Sequence, residues 1–545
     1  MINEQIIEEK MKMFQTYLEF TNMDKKQYQY DGVKWCLNNE LCETNIFEII
    51  SKEDEVLNKK EDEIINKKEI KKMSLLKSAC NICVKGGFVA DEMGLGKTIM
   101  MIGLMLCNPL NRTLIVLPPI LLDQWYLQIY RTTGHKALIY HGQNKKKISL
   151  KELNSKQIVI TTYGAITIPK KKLILVEDCP KLLTDLHRIK WNRVIFDEAH
   201  HLRNSNTRSK SVKLLNCEIK WLVSGTPVQN SNKDFKNLCS ILNIPSGFMK
   251  NDQLRLIANK YVLRRTKKQV GIKIPNAYSF KNIIEWKNEK EKEFAEELHS
   301  WLSCGKIPER RNDKYLCSIL YGDKGPLPIY MRSRQLCILP KLLNNAINDL
   351  EDFCKYMSYD EKFMSRINIE NYKEALNHSS KMDAIIKKIL ENKDNGNGKI
   401  IFCHFKEEID TIEKRLIDGG INKIAKFDGR VKNEDRNDIL NEKNDVLLLQ
   451  IQTGCEGLNL QENYSEIYFV SPHWNPAVEE QAIARCHRIG QKKEVFVHRF
   501  EMGNFIEDIR TIDNYVGDVQ INKKIIAKEI IPDENENEDI NKITE

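Results

Sequence analysis

The sequence predicts an α/β protein with two mostly parallel sheets, each flanked by helices. Short apolar stretches of strand length alternate with helical patterns, and this alternation starts afresh near Lys399. Such alternation indicates parallel strands joined by helices, and a second start indicates a second sheet. Two apolar stretches also end in turns of specialised composition, GGFVADEMGLGKTIMM at 86–101 and VIFDEAHHLRN at 194–204. We therefore expect two lobes, with functional residues where the strands end.

Length and composition set bounds on the class of protein. The chain has 545 residues, enough for two or three domains, and 41% of them are hydrophobic. Neither a long apolar run nor an apolar start is present, which predicts no membrane span and no signal peptide. Fifteen scattered cysteines suit a reducing, intracellular compartment. The net charge of +9 favours a polyanionic partner, although lysine richness can also reflect coding bias.

The residues from Gly94 to Thr98 have the composition of a phosphate-binding loop. Gly94 and Gly96 let backbone amides turn toward phosphate oxygens, Lys97 places a charge beside the β- and γ-phosphates, and Thr98 offers a hydroxyl to Mg²⁺. The strict pattern GxxxxGK[ST] has glycine where this chain has Asp91. A glycine turn before an apolar helix is the alternative interpretation of this loop alone.

The DEAH sequence at 197–200 supplies a second signal, because it also ends an apolar stretch. Asp197 is expected to hold the metal directly or through water, and Glu198 to orient the attacking water. The two signals together predict a nucleoside triphosphatase that uses Mg²⁺.

The motifs resemble those of the Swi/Snf-like branch of superfamily two helicase-type ATPases, which translocate on DNA and have two RecA-like lobes with an ATP cleft between them. The resemblance covers roughly residues 25–510 and includes SGTPVQN at 224–230 and HWNPAVEEQAIARCHRIGQ at 473–491. The motif sequences are most similar to those of the helicase-like transcription factor subgroup, some members of which carry a RING zinc module. We expect no RING and no structural zinc, because the cysteines of that region lack paired CxxC spacing: Cys304, Cys317, Cys337 and Cys354.

The resemblance implies further site residues in the first lobe. Gln29, within YQYDGVKW at 28–35, would contact the adenine. An ordinary helix start or a buried strand with a polar end would also explain each segment locally, but their order favours function. The residues that would contact nucleic acid or couple it to the nucleotide are Trp125, Thr161, Thr162, Ser224 and Thr226.

A basic segment, VLRRTKKQV at 262–270, resembles the part of the family that closes the first lobe. Its charged residues are expected to face either DNA or the interlobe cleft: Arg264, Arg265, Lys267 and Lys268.

In the second lobe, a helix is predicted to start near Pro476 and to carry Gln481, Arg485 and Arg488 on one face, since they are four and three residues apart. Two guanidinium groups on one face favour an opposing polyanion. The resemblance implies that both arginines reach the γ-phosphate as arginine fingers and that Gln481 contacts the nucleotide. A surface amphipathic helix is the alternative.

The segment IQTGCEGLNLQ at 451–461 would couple the second lobe to DNA through Gly457 and Asn459. It departs from the family at Gln450, Thr453 and Cys455, which puts the fine coupling in question.

Cys80 and Cys83 form a lone CxxC and are interpreted as core residues and not as zinc ligands.

The expected organisation has five parts. They are an N-terminal helical segment at 1–24, a first lobe at 25–280 with a charged helical insertion at about 42–76, a helical linker at 281–378, a second lobe at 379–517, and a polar, disordered tail at 518–545.

The resemblance implies a DNA-stimulated ATPase that translocates on duplex DNA and remodels DNA–protein complexes, in the nucleus or wherever DNA is handled. Protein partners would supply targeting, and RNA is an open alternative to DNA. A strand-separating helicase is the rival function, since it shares every nucleotide-site residue. A non-catalytic binding module is disfavoured because the expected catalytic side chains are all present: Lys97, Glu198, Arg485 and Arg488, together with the metal ligand Asp197.

Overall fold

The structure is a computed structural model with two compact units. Unit 1 comprises Met1–Lys273 and Lys523–Glu545, and unit 2 comprises Ile274–Asn522. The residues that it describes are 4–41, 84–175, 182–303, 327–356, 368–431, 439, 442–454, 458–505 and 509–532.

Unit 1 is built on a seven-stranded sheet. Its strands are β1 (Lys85–Val89), β2 (Thr113–Leu117), β3 (Leu138–Tyr140), β4 (Ile158–Thr162), β5 (Trp191–Asp197), β6 (Cys217–Val223) and β7 (Val262–Leu263). They lie in the order β3-β4-β2-β5-β6-β1-β7, and all described pairs are parallel. The carboxyl ends of the strands therefore meet at one edge, where β1 leads into the phosphate-binding loop.

Both faces of this sheet are covered, as the continuous apolar strands require. Leu114 and Val116 of β2 belong to one buried cluster, whereas Ile115 and Leu117 belong to the other. Alternate residues of a strand point to opposite faces, so each cluster fills one face. The helices of unit 1 are α1 (Glu4–Phe20), α2 (Gln27–Leu41), α3 (Lys97–Cys107), α4 (Leu122–Thr133), α5 (Leu150–Ser155), α6 (Tyr163–Ile166), α7 (Lys170–Leu173), α8 (Asp185–Arg188), α9 (Thr207–Lys213), α10 (Asn232–Ile241) and α11 (Leu254–Tyr261).

Helix α1 packs on α3 through a closely fitted contact. Phe14 is fully buried and lies over Gly103, where an added Cβ would come within 2.4 Å of the phenyl ring. The spacing of Ile7, Met11, Phe14 and Leu18 explains why this face of α1 is buried, since residues three and four apart share a helix face.

Unit 2 is built on a six-stranded sheet, in which all described pairs are also parallel. Its strands are β8 (Ala277–Ile284), β9 (Gly398–Cys403), β10 (Ile424–Phe427), β11 (Val446–Gln450), β12 (Tyr464–Phe469) and β13 (Val495–Met502), in the order β10-β11-β9-β12-β13-β8. Its helices are α12 (Glu289–Ser303), α13 (Leu327–Ile338), α14 (Asn344–Tyr356), α15 (Ile369–Ala375), α16 (Ser380–Glu391), α17 (Lys406–Asp418), α18 (Ile451–Gly454), α19 (Pro476–Ile483) and α20 (Ile512–Ile530), the last of which ends in residues assigned to unit 1.

Two parallel sheets flanked by helices confirm the expected fold class. The expected boundaries differ from the structure in two places. Strand β8, which the expected boundary at residue 280 divides in the middle, pairs with β13 along its whole length, from Ala277 opposite Val495 to Ile284 opposite Met502. The region 281–378 accordingly belongs to unit 2 and not to a separate linker.

The expected disordered tail is wrong up to residue 530, because α20 continues to Ile530. Ile530 is 3% exposed and packs in a core cluster of unit 1, which gives this polar stretch an apolar anchor. The charged insertion at 42–76, Cys80 and Cys83 all lie outside the described residues. Within the described part of the chain, no helix is long and apolar enough to cross a membrane.

Candidate active site

The phosphate-binding loop lies between the carboxyl end of β1 and the first residue of α3. Gly94 and Gly96 have φ angles of +91° and +81°, a region that favours glycine. Space is also restricted, since a Cβ on Gly96 would lie 2.3 Å from Nε2 of Gln29. Helix α3 begins at Lys97, and Thr98 lies in its first turn, where backbone N–H groups have no partner within the helix. These groups and the Thr98 hydroxyl are suitably placed for phosphate and metal.

The amine of Lys97 is held inside the loop. Its Nζ donates to the carbonyl oxygens of Asp91 and Glu92, at 2.8 and 3.3 Å. Burial lowers the pKa of Lys97, and the charges of Glu198, Asp91 and Asp197 oppose that shift. A phosphate oxygen would offer this cation a stronger, charge-assisted bond than the neutral carbonyls do.

Asp91, the departure from the strict loop pattern, is a structural anchor. Its carboxylate is fully buried and accepts from Arg265, with an Nε–Oδ1 distance of 3.1 Å and a second bond from Nη2. Arg265 also donates to the carbonyl oxygen of Tyr28 through Nη1. The aspartate therefore ties the loop to the residues after β7 and to the start of α2.

The neighbouring basic residues also bind within unit 1. Nη1 of Arg264 donates to the carbonyl oxygens of Ala90 and Gly225, at 2.9 and 2.7 Å, and Lys267 pairs with Glu92 at 2.9 Å. The charged groups of these side chains and of Arg265 therefore anchor the loop, and their expected orientation toward DNA or the interlobe cleft stays a prediction. Lys268, by contrast, is exposed.

Asp197 ends β5 and is 8% exposed. Its Oδ2 accepts from Nε1 of Trp125 at 2.6 Å, and its Oδ1 accepts from the backbone N–H of Glu198 at 3.0 Å. Burial, together with the charge of Glu198, raises the pKa of Asp197 to about 6. Trp125 is 1% exposed and its indole N–H orients this carboxylate, while its expected role toward nucleic acid stays a prediction.

Glu198 adopts a left-handed backbone conformation, with φ at +49°. Such a conformation in a non-glycine residue is strained, and strain of this kind concentrates at functional sites. Its carboxylate lies 3.3 Å from Nδ1 of His200, which is also 3.3 Å from Oγ of Ser224. His200 therefore connects the acidic strand end to the SGTP segment.

The SGTP segment lies directly beside the phosphate loop. A Cβ on Gly225 would be 3.5 Å from Nζ of Lys97, and Ser224 donates its backbone N–H to the carbonyl of Val89 at 3.1 Å. The hydroxyl of Thr226 accepts from Nε2 of Gln229 at 3.0 Å. The segment is therefore in contact with both nucleotide motifs.

The two threonines at the end of β4 are buried. Thr161 donates its hydroxyl to the carbonyl of Tyr140 at 2.7 Å, and Oγ1 of Thr162 lies 3.1 Å from Nδ1 of His141. The expected phosphate contact is therefore corrected for the Thr161 hydroxyl, whose one proton is already donated to that carbonyl. The adjacent Tyr163 was overlooked, and its hydroxyl donates to the carbonyl of Asp197 at 2.7 Å.

Gln29 lies over the phosphate loop. It is 4% exposed, and its Nε2 donates to the carbonyl of Leu95 at 3.1 Å. This contact places the amide next to Gly96, so the N-terminal motif and the loop form one structure.

In unit 2, α19 is shorter than expected and ends at Ile483, so Arg485 and Arg488 lie in the turns that follow and not on a shared helix face. The backbone carbonyl of Arg485 accepts from Leu460, and the Arg488 guanidinium donates to the side chain of Asn459. Burial, and then the charge of Arg485, lowers the pKa of Arg488. The two cations are therefore close together despite the corrected helix end.

Two other residues of this unit were expected to belong to the site, Gln481 at the nucleotide and Gly457 in the coupling to DNA. Gln481 is on α19 and is 4% exposed. Gly457 lies outside the described residues.

The loop, the acidic strand end and the first sheet define unit 1 as a nucleotide-binding unit of the phosphate-loop type. Residues 28–250 match the family described as SNF2-related domain, and residues 380–490 match the helicase conserved C-terminal domain. These two domains support the Swi/Snf-like branch of superfamily two. The helicase-like transcription factor subgroup stays a prediction.

Curated relatives resemble most of this chain. A DNA repair protein RAD5B of Arabidopsis thaliana is 25% identical across 78% of the chain and 44% of its own length. A DNA excision repair protein ERCC-6-like of Danio rerio is 25% identical across 78% and 33%, and an uncharacterised ATP-dependent helicase of Mycoplasma genitalium is 27% identical across 83% and 41%. The chain thus spans less than half the length of these relatives.

A solved structure, the Sulfolobus solfataricus SWI2/SNF2 ATPase core in complex with dsDNA, aligns with 82% of this chain and 88% of its own. The identity is 20% and the TM-score is 0.32. The fold assignment rests on the two sheets themselves.

Proposed function

We propose that the protein is an ATP hydrolase that translocates on duplex DNA and remodels DNA–protein complexes. The observation that carries the proposal is the grouping of Lys97 with Asp197 and Glu198 at one edge of the unit 1 sheet, where Lys97 follows β1 and the two carboxylates follow β5, both strands running parallel to β6. A phosphate-binding cation, a metal ligand and a water-orienting carboxylate are the parts that phosphoanhydride hydrolysis needs.

In the proposed site, Lys97 binds the β- and γ-phosphates and the amides of Gly94 and Gly96 surround them. Glu198 orients the attacking water, and its strained backbone holds the carboxylate at the strand end. Gln29 contacts the adenine from its position over the loop.

The residues present fit Mg²⁺. Thr98 offers a hydroxyl in the first turn of α3, and Asp197 offers a carboxylate whose pKa burial raises to about 6, a cost that a cation would offset. When bound, Mg²⁺ would neutralise charge on the β- and γ-phosphates. Trp125 and the N–H of Glu198 fix the orientation of that carboxylate.

Arg485 and Arg488 are proposed to neutralise charge that develops on the γ-phosphate, with Gln481 also contacting the nucleotide. Support comes from the lowered pKa of Arg488, which burial and then the charge of Arg485 cause, because a polyanion beside both guanidinium groups would offset that cost. Asn459 positions Arg488 by accepting its hydrogen bond.

Coupling to DNA is proposed to run through the SGTP segment. The contacts from Glu198 to His200 and on to Ser224 give the nucleotide site a direct connection to that segment. Thr226 and, in unit 2, Gly457 would complete the coupling residues. The names of the relatives, two of them DNA repair proteins and one an ATP-dependent helicase, support DNA as the polymer and sites of DNA handling, such as the nucleus, as the location.

The test compares ATP turnover without nucleic acid and with duplex DNA, single-stranded DNA and RNA, at one fixed salt concentration. We expect duplex DNA without single-stranded tails to stimulate turnover most. Lys97→Ala should reduce turnover to background while DNA binding stays measurable. Lys287→Ala, which removes an exposed lysine of unit 2, is the matched control and should behave as the unchanged protein does.

Retained turnover in purified Lys97→Ala would overturn the assignment of the ATP site. Stimulation by single strands alone, accompanied by duplex separation, would favour the rival helicase function over duplex translocation.

A further inference from the structure

The outer edge of β8 is longer than the other sheet edges in the described part of the chain. Three of those four edges are short strands, since β3 has three residues, β7 two and β10 four. Short edge strands are one means by which proteins prevent pairing with other chains. Strand β8 has eight residues, Ala277–Ile284, and six of them are exposed. This edge therefore lacks the protection that the other three have.

The backbone of β8 directs every second residue's polar groups away from the sheet. The N–H of Val495 in β13 donates to the carbonyl of Asn276 at 2.9 Å, and at the other end of the strand Gly503 donates to Ile284 at 2.8 Å. In a parallel ladder with this unshifted register, the even-numbered residues of β8 bond to β13. The odd-numbered residues therefore point their N–H and C=O groups outward, where no described strand pairs with them: Ala277, Ser279, Lys281 and Ile283.

Aromatic side chains lie beside these outward groups. Tyr278 and Phe280 are 40% and 44% exposed, and both lie on one face of the sheet because alternate residues share a face. Both rings stack on Phe496, at 5.7 and 6.4 Å, and Phe280 also stacks on His498 at 5.2 Å. The apolar surface of the unit 2 sheet therefore continues to its open edge, where an added strand would cover it.

A second copy of β8 fits this edge in one antiparallel register. With the two-fold axis at Phe280, Ser279 lies opposite Lys281 of the second copy and Ala277 lies opposite Ile283, so each outward residue meets another outward residue. This register makes about eight backbone hydrogen bonds, because each such pair exchanges two. It ends naturally at Pro275, the next residue of outward parity, which has no N–H to donate.

The other symmetric registers are less favourable. An axis at Lys281 would place the two lysines directly opposite each other, and like charges in that arrangement are destabilising. An axis at Ser279 would pair only residues 277–281. With the axis at Phe280, the two phenyl rings form a cross-strand pair whose Cα atoms are about 4.5 Å apart. Lys281 then keeps its own partner, Glu501, at 2.7 Å.

We propose that the protein forms a symmetric dimer in which the outer edges of two β8 strands pair antiparallel, with Phe280 at the axis. One continuous sheet then runs through the second units of both copies, and an antiparallel pair at the edge of a parallel sheet is a common arrangement. An interface of one strand pair is small, so the dimer dissociates readily, with a Kd on the order of 10 μM. This inference goes beyond the proposed function and does not depend on it.

Sedimentation velocity of the full chain, from about 1 to about 100 μM, tests the dimer, and we expect a reversible shift from monomer to dimer across this range. Ser279→Pro removes one outward N–H and leaves the bonds to β13 in place, since proline is tolerated at such edge positions. It should weaken dimerisation at least about tenfold. Ser279→Ala is the matched control, because it removes the same hydroxyl and keeps the N–H, and its Kd should stay within about twofold.

Phe280→Glu tests the axis, because it places two carboxylates opposite each other, and it should also weaken dimerisation at least about tenfold. Phe20→Glu, which changes a phenylalanine of unit 1 that is 79% exposed, is its control and should leave the Kd unchanged. Circular dichroism and Tm check that each variant is folded.

Cross-linking tests the register. Under mild oxidation Phe280→Cys should form a covalent dimer that the unchanged chain does not form, because directly opposed residues at this separation suit a disulfide. Ile283→Cys is the control, since that residue is 53% exposed but lies opposite Ala277, and it should cross-link much less.

The proposal is overturned if the chain stays monomeric throughout the range, if Ser279→Pro and Phe280→Glu both dimerise like the unchanged chain, or if Ile283→Cys cross-links as readily as Phe280→Cys. A monomer in which Phe280→Cys adds no maleimide labelling to that of the unchanged chain would overturn it in favour of an edge covered by another part of the same chain.

Discussion

Glu408 uses one carboxylate oxygen to cap the start of α17 and leaves the other buried. Its Oε2 accepts the backbone N–H groups of His404 and Phe405, both at 2.9 Å, while Oε1 has no partner within the described part of the chain. Burial raises the pKa of Glu408 to about 7, well above its ordinary value. The ionised form therefore lowers the stability of unit 2 above pH 7, and this cost declines as the pH falls and the carboxyl takes up a proton.

Glu408→Gln should consequently raise the free energy of unfolding of unit 2 by about 1–3 kcal/mol at pH 8, because the amide oxygen can still accept both N–H groups without a buried charge. The gain should shrink steadily between pH 7 and pH 5. Glu407→Gln, the exposed neighbour, is the control and should shift stability by less than about 0.5 kcal/mol at either pH. Chemical denaturation across this pH range measures both, and a pH-independent gain would contradict the assigned cause.

Substitution of Arg488 tests the proposed role of the unit 2 arginines in ATP hydrolysis. Arg488→Ala should lower the rate of ATP hydrolysis by roughly two or more orders of magnitude with little change in ATP affinity, because the charge acts on the transition state. Arg510→Ala, which removes an exposed guanidinium paired with Asp518, is the control and should retain full turnover. Single-turnover kinetics and nucleotide titration separate the two effects, and a defect confined to affinity would refute the finger role.

The phosphate loop, as an element, depends on a pair that is distant in sequence. Arg265 and Asp91 are 174 residues apart, and their ion pair joins the loop to the chain after β7. The composition of the loop predicted the roles of its glycines, because their backbone angles are a local property. It could not predict a partner for Asp91, since that contact depends on how β1 and β7 pair.

Asp91→Asn should destabilise unit 1 by about 2–4 kcal/mol and weaken ATP binding, because it leaves the Arg265 charge without its partner. Glu218→Gln, which breaks the exposed pair with Lys85 in the same sheet, is the matched control and should change stability by less than about 1 kcal/mol. Denaturation in the absence of nucleotide tests the comparison. Equal effects of the two changes would show that the Asp91 pair contributes no more than a surface pair.

The end of α19 shows a second limit of sequence analysis. The spacing of Gln481, Arg485 and Arg488 fits a helix, yet the helix ends at Ile483. Beyond that point the buried Cys486 and the bond from Leu460 to the Arg485 carbonyl hold the backbone in turns. Tertiary contacts of this kind override periodicity, so the residue types were predictable and their local conformation was not.

At the scale of the whole molecule, the two parallel sheets followed from the alternation of apolar and helical segments, whereas the limits of the units did not. The polar composition after Gly517 suggested disorder, but Ile530 occupies the core of unit 1. A single apolar residue that packs in a core is enough to order such a stretch. The average composition of the stretch does not reveal a single residue of this kind.

Ile530→Ala should destabilise unit 1 by about 2–4 kcal/mol, as expected when a buried isoleucine is truncated. Ile525→Ala, on the same helix but 51% exposed, should cost less than about 1 kcal/mol. Thermal unfolding monitored by a probe in unit 1 distinguishes them. Identical shifts in Tm would argue against the packing of Ile530.

That helix also bears on biosynthesis. During translation, residues 1–273 of unit 1 are synthesised first, yet Ile530 emerges only after all of unit 2 has been made. At ordinary elongation speeds this delay is on the order of tens of seconds. Until Ile530 is synthesised, the apolar surface of unit 1 that it covers stays exposed. During this period chaperones could bind that surface.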